Sequence, residues 1–245
     1  FLGSFLLNNF LKETYSSRKL EIEKSIENLL DKNVDLGDYV GIRFLGISLG
    51  NSKINDKKNI DSEIKAKNVY VGIMPFRSFL KQKWIVKIRP EQTEINIDSN
   101  FFKRDEFYKK ARIINKSKSE YELHLNLNKY SFLEIKNSGF KSKVKGNLTY
   151  KSKNRQIIAD LKSKFDGKGF LKFRLNTKLN QDFLMLDLFS RGLNLQDAEY
   201  NFWGRKIIFK KGNFKSNFSY KKSSTQTFCK GKFSFNNLIV KPGAF

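Results

Sequence analysis

The sequence predicts a mainly β chain: an N-terminal amphipathic helix followed by an elongated, curved antiparallel β-sheet that forms an apolar groove. Three observations carry this reading. Apolar residues recur at every second position over most of the chain, the period of a strand with two unlike faces. The runs follow one another at spacings of about ten to fifteen residues, with Gly, Asn, Lys or Ser between them, as antiparallel meanders do. No helical crossover pattern follows Leu80, with 105–111 the one stretch open to such a reading, and this excludes a parallel α/β architecture.

Residues 1–32 form the first unit. Phe1, Leu2, Phe5, Leu6, Leu7, Phe10 and Leu11 make an apolar surface, while Ser4, Asn8 and Lys12 share the other side. The run is too short to span a bilayer, which takes about 20 apolar residues. It fits the distal end of a signal anchor, an interfacial helix or a core helix. Ile22, Ile26, Leu29 and Leu30 then recur at i, i+4, i+7 and i+8, with Glu21, Glu23, Lys24 and Glu27 on other faces, so one stripe is expected to be buried.

Residues 33–114 form a β module. Val34 and Leu36 alternate with Asp35, Gly37 permits a turn, and Ile42, Phe44, Ile47 and Leu49 supply strand positions punctuated by Gly41, Gly46 and Gly50. Pro75 suits the first turn of a short helix over 75–80, with Phe76, Phe79 and Leu80 on one side of it. Trp84, Val86 and Ile88 alternate in the strand that follows. The polar stretches 51–59 and 115–120 read as loops.

Residues 115–245 form a repetitive sheet. Its rows are Leu123, Leu125 and Leu127; Val144, Gly146, Leu148 and Tyr150; Ile157, Ala159 and Leu161; Leu171, Phe173 and Leu175; and Leu184, Leu186 and Leu188. Phe214, Phe218 and Tyr220 follow, and then Phe233 and Phe235.

Composition narrows the function. With 24 Phe and 9 Tyr the chain is not disordered, and those rings are either buried or bind something apolar. Lys+Arg 48 against Asp+Glu 24 gives a net charge of +24, which suits an anionic partner and equally suits a basic composition with no such partner. Cys229 is the only cysteine and His124 the only histidine, so neither an internal disulfide nor a Cys/His metal site is available. His124 alternates with leucines and falls on the polar side of its strand. No set of residues makes a catalytic centre, and no enzyme, cofactor or metal is expected. From residue 201 on there is no Asp or Glu. There the lysines interleave with Trp203, Phe209, Phe214, Phe218, Tyr220, Phe228, Phe233 and Phe235, a pattern that suits single-stranded nucleic acid or a buried, lipid-facing sheet face.

Two blocks carry a resemblance. After the helix come Asn33, Val34, Leu36 and Gly37, then Gly50, Ser52 and Ile54. Residues 66–97 read strand, Met74-Pro75-Phe76-Arg77-Ser78-Phe79-Leu80, strand, strand. This resembles the opening segment of the AsmA-like superfamily and, within it, of TamB-like envelope proteins, where R-P-V-x-L-G leads into a strand ending G-x-S-x-I and a P-x-x-L-L turn comes later. Lys32-Asn33 stands where the family has Arg-Pro. The resemblance implies the membrane-proximal part of a protein anchored in the inner membrane of a diderm bacterium and facing the periplasm. Its implied partners are phospholipid acyl chains and an outer-membrane barrel-assembly protein, with nucleic acid disfavoured. The expected groove-lining residues are Trp84, Val86, Ile88, Leu123, Leu125, Leu127, Leu171, Phe173 and Leu175. The rival readings are a basic nucleic-acid-binding β protein and a structural β domain at a cell surface.

Overall fold

The structure is a computed structural model that describes residues 2–30, 32–56, 62–97, 120–135, 140–164, 169–178, 181–194, 198–202 and 205–242. Helix α1 (Leu2–Leu30) leads into β1 (Lys32–Asp35), β2 (Tyr39–Arg43), β3 (Gly46–Leu49), β4 (Ser52–Asp56), β5 (Glu63–Lys67) and β6 (Val69–Ile73). Helix α2 (Pro75–Lys81) precedes β7 (Trp84–Arg89), β8 (Gln92–Ile97), β9 (Tyr121–Leu127), β10 (Phe132–Ile135) and β11 (Phe140–Lys151). The chain continues through β12 (Gln156–Lys164), β13 (Phe170–Lys178), β14 (Phe183–Asn194), β15 (Ala198–Phe202), β16 (Arg205–Lys222) and β17 (Thr227–Pro242). All the strands belong to one sheet, curled into a half-barrel.

The first ten strands are halves of longer ones. β1 and β2 together lie antiparallel to β4 and β3, those two to β5 and β6, and those in turn to β8 and β7. Each long strand bends at its middle, and the bends line up as a crease. Gly50 N donates to Asp38 O at 2.8 Å and Gly37 N to Ser52 Oγ at 2.9 Å. Farther across, Glu91 N donates to Lys67 O at 2.9 Å and Asn128 Nδ2 to Glu91 O at 2.6 Å. Gly37 is required here, because any Cβ would run into the backbone of Gly50. Asn68 takes φ 47° at the same level, a left-handed conformation that Asn tolerates.

The meander departs from the expected antiparallel order at one seam. β7 runs parallel to β9 and β8 parallel to β10, whereas β11 is antiparallel to both β9 and β10. A parallel neighbour needs a crossover. The segment joining β8 to β9, which includes the stretch 105–111 open to a helical reading, lies outside the described residues, as does most of the loop expected over 115–120. The sheet passes without a break across the expected boundary between residues 114 and 115. From β11 to β14, and on to β16 and β17, every pairing is antiparallel. The stretch expected to be a loop from Asn51 contains strand β4 instead, paired on both sides.

Helix α1 lies against the first edge of the sheet, and it docks by polar arms. Val34 N donates to Glu27 Oε1 at 3.0 Å and Leu36 N to Glu23 Oε1 at 2.8 Å. Tyr15 Oη donates to Gly37 O at 2.8 Å, Tyr39 Oη to Asn8 Oδ1 at 2.8 Å, and Lys19 pairs with Asp38 at 2.9 Å. The expected apolar stripe is only partly covered: Ile26 and Leu30 are half-buried, but Ile22 is exposed. The reason is that an edge strand offers unpaired N–H groups, which carboxylates satisfy and alkyl chains do not. Phe5, Leu6, Leu7 and Phe10 face solvent. Phe1 and the side chains of Leu2 and Leu29 lie outside the described residues. Among the described residues, no helix is long and apolar enough to cross a membrane.

A single curled layer buries little. The accessible surface is 16804 Å², against about 11,000 Å² for a compact chain of this size. Buried apolar side chains among the described residues are Val34, Leu49, Val69, Ile85, Leu127, Val144, Ala159 and Leu193.

Candidate functional site

Cross-strand partners point to the same side of a sheet, so the register assigns every strand residue to one of two faces. Ile42 pairs with Ile47, Ile47 with Val71, Val71 with Ile88, Ile88 with Leu125 and Leu125 with Leu148. The row continues through Ala159, Leu175, Leu186, Tyr220 and Cys229. It crosses the whole width of the sheet. A parallel row runs Val86, Leu123, Tyr150, Ile157, Thr177 and Leu184, and another runs Leu127, Gly146, Leu161, Phe173, Leu188, Phe218 and Gly231.

The nine expected groove residues therefore share one face: Trp84, Val86 and Ile88 from β7, Leu123, Leu125 and Leu127 from β9, and Leu171, Phe173 and Leu175 from β13. Most are half-buried; Leu127 is buried and Trp84 is exposed at the end of its strand. The later aromatic rows join them. Phe214 lies 5.0 Å from Phe235 and Phe218 5.9 Å from Phe233, ring centre to ring centre. Tyr121, opposite Trp84, lies 6.1 Å from Tyr150, and burial raises the pKa of the Tyr150 phenol, aided by the neighbouring Tyr121. The same face holds Ile54, Ile64 and Ile95 of the crease's other half, which alternate with polar residues as the later leucines do. Phe228, one of the tail aromatics, lies on the opposite face with Lys221, and Trp203 lies outside the described residues.

A band of small hydroxyls interrupts the face. Ser142, Ser163, Ser190 and Ser216 are buried. Ser142 bonds to Ser163, and Ser190 to Ser216 at 2.8 Å, so the hydroxyls satisfy one another. The apolar rows read from the sequence leave these serines out.

The opposite face is polar. Asn126, Asn147, Asp160, Arg174, Asp187, Ser219 and Lys230 succeed each other across it, with Asn126 Nδ2 donating to Asn147 Oδ1 at 2.6 Å and Arg174 Nε to Asp160 at 3.3 Å. Under α2, Glu122 is 2% exposed and meets Lys83 at 2.6 Å, Lys81 at 3.7 Å and His124 at 3.2 Å. Burial works to raise its pKa, but the hydrogen bonds from Lys83 and His124 and the lysine charges outweigh it and hold the carboxyl below its ordinary value. His124 thus lies on the polar face, as its alternation predicts. At the crease this face opens a cleft of about 980 Å³ lined by Lys67, Lys129, Lys143, Lys145 and Lys162 around Tyr130 and Phe132. Among the described residues, no group of three or more His, Cys, Asp or Glu side chains is placed to hold a metal ion.

The sequence matches no family model, and no curated protein matches it either.

Proposed function

We propose that this chain is a lipid-handling β-trough, the membrane-proximal part of a TamB-like envelope-spanning protein that guides phospholipid along a hydrophobic groove. The observation that carries the reading is the unbroken row from Ile42 to Cys229, with no second layer of the described chain over it. An open sheet with such a face calls for a cover, and acyl chains have the right chemistry. Curvature supports the choice of face. In a lone curled layer, side chains are buried mainly on the concave side, and the buried Leu49, Val69, Leu127, Val144, Ala159 and Leu193 all belong to the Leu and Ile face. Ten strand spacings of about 4.8 Å give a trough about 48 Å long. Acyl chains lie in it while headgroups stay at its rim. The role proposed is conduction of the chains along the face. An inner-membrane anchorage facing the periplasm, and a contribution to outer-membrane barrel assembly, belong to the same reading through the resemblance.

The test is direct. Purified protein is washed at high salt and extracted, and the extract is weighed by mass spectrometry. Phospholipid is expected in the wild type and is lost in a Leu125→Asp/Leu175→Asp variant that keeps its circular dichroism. The lysine-lined cleft favours a second reading, a polyanion such as single-stranded nucleic acid. In that case the bound material is nucleic acid and leaves with added salt, and the two leucine substitutions have no effect on it.

A further inference from the structure

One end of the molecule presents aromatic side chains that no described part of the fold covers. At the β2–β3 tip Phe44 is 88% exposed, and in α2 Phe76 and Phe79 are 75% and 83% exposed. The two elements adjoin. Ile73 N donates to Leu45 O at 2.9 Å and Tyr70 Oη to Phe44 O at 2.8 Å. Phe44, Leu45, Met74 and Pro75 line one shared cleft of about 770 Å³. Arg43, Lys87 and Arg89 bring three cations to the same cleft, in which the lone lining carboxylate, Glu91, is taken up by Asn68 at 2.6 Å. Arg77 adds a further exposed cation on α2.

α2 cannot retract its rings, because its other side is committed to the sheet: Ser78 Oγ accepts from Ile85 N at 3.0 Å, over the fully buried Ile85. α1 converges on the same end. Its Glu27 meets β1 and its Asn8 meets Tyr39, so its N-terminal Phe5 and Leu6 point the way that β2 runs. Protruding aromatics ringed by cations match the boundary of an anionic bilayer, where rings settle among the headgroups and Arg or Lys meets phosphate.

We infer that the β2–β3 tip and α2 form a foot that docks on an anionic lipid bilayer. The rings of Phe44, Phe76 and Phe79 enter the headgroup layer, and Arg43, Lys87 and Arg89 hold lipid phosphates. Trp84 and Ile73, at the strand ends of the apolar face, lie beside the foot, so a lipid leaving the bilayer meets the rim of the trough near its β2 end. The foot's purpose rests on the conduit reading; its binding to a bilayer does not.

The full chain is floated with vesicles of phosphatidylglycerol and phosphatidylcholine, and with phosphatidylcholine alone. Uptake of a fluorescent short-chain phospholipid from solution is measured alongside. Wild type is expected to float with the anionic vesicles and weakly with the neutral ones. Phe44→Ser/Phe76→Ser/Phe79→Ser is expected to bind about tenfold or more weakly, with unchanged circular dichroism and uptake, since these side chains support nothing inside the fold. Arg43→Ala/Lys87→Ala/Arg89→Ala is expected to lose the preference for anionic lipid. The foot is overturned if the aromatic variant floats like wild type, as it would if the rings met a protein partner or α1 alone held the membrane. Uptake without flotation also overturns the foot and leaves the conduit standing. Flotation without uptake, lost in the aromatic variant, keeps the foot and removes the conduit.

Discussion

Glu122 shows how a single side chain ties α2 to the sheet. Its carboxylate is buried on the polar face beside Ile85 and is reached by Lys83, Lys81 and His124. A buried carboxylate without partners would be strongly destabilising, so the lysines and the acid make sense only together. Because folding lowers the Glu122 pKa, the contribution is fully present above the ordinary value of 4.5 and is lost as the pH falls through the lowered one. Glu122→Gln is therefore expected to cost about 2 kcal/mol near neutral pH, read by urea denaturation. The gap to wild type should close in acid, and a gap that stayed constant with pH would place the effect in packing instead of charge. Gly37 makes the same point about space. Gly37→Ala drives a methyl group into the Gly50 backbone at the crease, and a loss of about 2 kcal/mol is expected, read as a lowered thermal midpoint.

At the scale of elements, α1 acts as the cover of an edge strand. Among the described residues β1 pairs on one side only, with β4, and the N–H groups of Val34 and, just beyond the strand, Leu36 donate to Glu27 and Glu23. Exposed edges of this kind recruit other strands. Glu23→Ala/Glu27→Ala is expected to cost about 1–2 kcal/mol, to speed amide exchange at Val34 and Leu36, and to promote self-association in light scattering. If exchange at those two amides did not change, the carboxylates would not be protecting the edge. This docking was illegible in the sequence, since periodicity reports where alkyl chains gather and says nothing of acids that serve a neighbouring backbone. The rows of the sheet were legible, because period two is a local property: Leu123, Leu125 and Leu127 share a face whatever lies beside them, and Phe173 or Leu188 could be placed the same way. Which rows meet was settled by register, and register depends on turns, a bulge at Gly192 and the crease. The parallel seam had no signature either, since it is a matter of which strands meet, β7 with β9 and β8 with β10. Helix α2 was legible from Pro75, and the burial of Ile85 beneath it was not.

On the scale of the whole molecule, the two faces of the sheet divide the composition between them. Most of the aliphatic residues and the aromatic rows of β16 and β17 fall on one face, and most of the lysines, asparagines and carboxylates fall on the other, where Ile85, Ile158, Phe170 and Phe189 are among the apolar exceptions. That segregation explains how a chain with 39% hydrophobic residues carries 24 Phe without closing into a compact body: a single layer has one apolar side, and no described part of the chain is set against it. The candidate trough residues were legible for this reason, whereas the serine band across them was not, because Ser142 and Ser216 look like ordinary breaks until their hydroxyls meet Ser163 and Ser190. A face that needs a cover should also respond when the cover is taken away. Protein stripped of lipid is expected to bind an environment-sensitive apolar dye strongly and to unfold at a lower temperature, and added phospholipid should displace the dye and raise the midpoint with the logarithm of its concentration. Leu125→Asp/Leu175→Asp should blunt both responses, since each charge falls in the row that runs the length of the sheet. A stripped protein that ignored the dye and kept its midpoint would mean that the face needs no lipid, and the trough would then have to be reassigned to a structural surface.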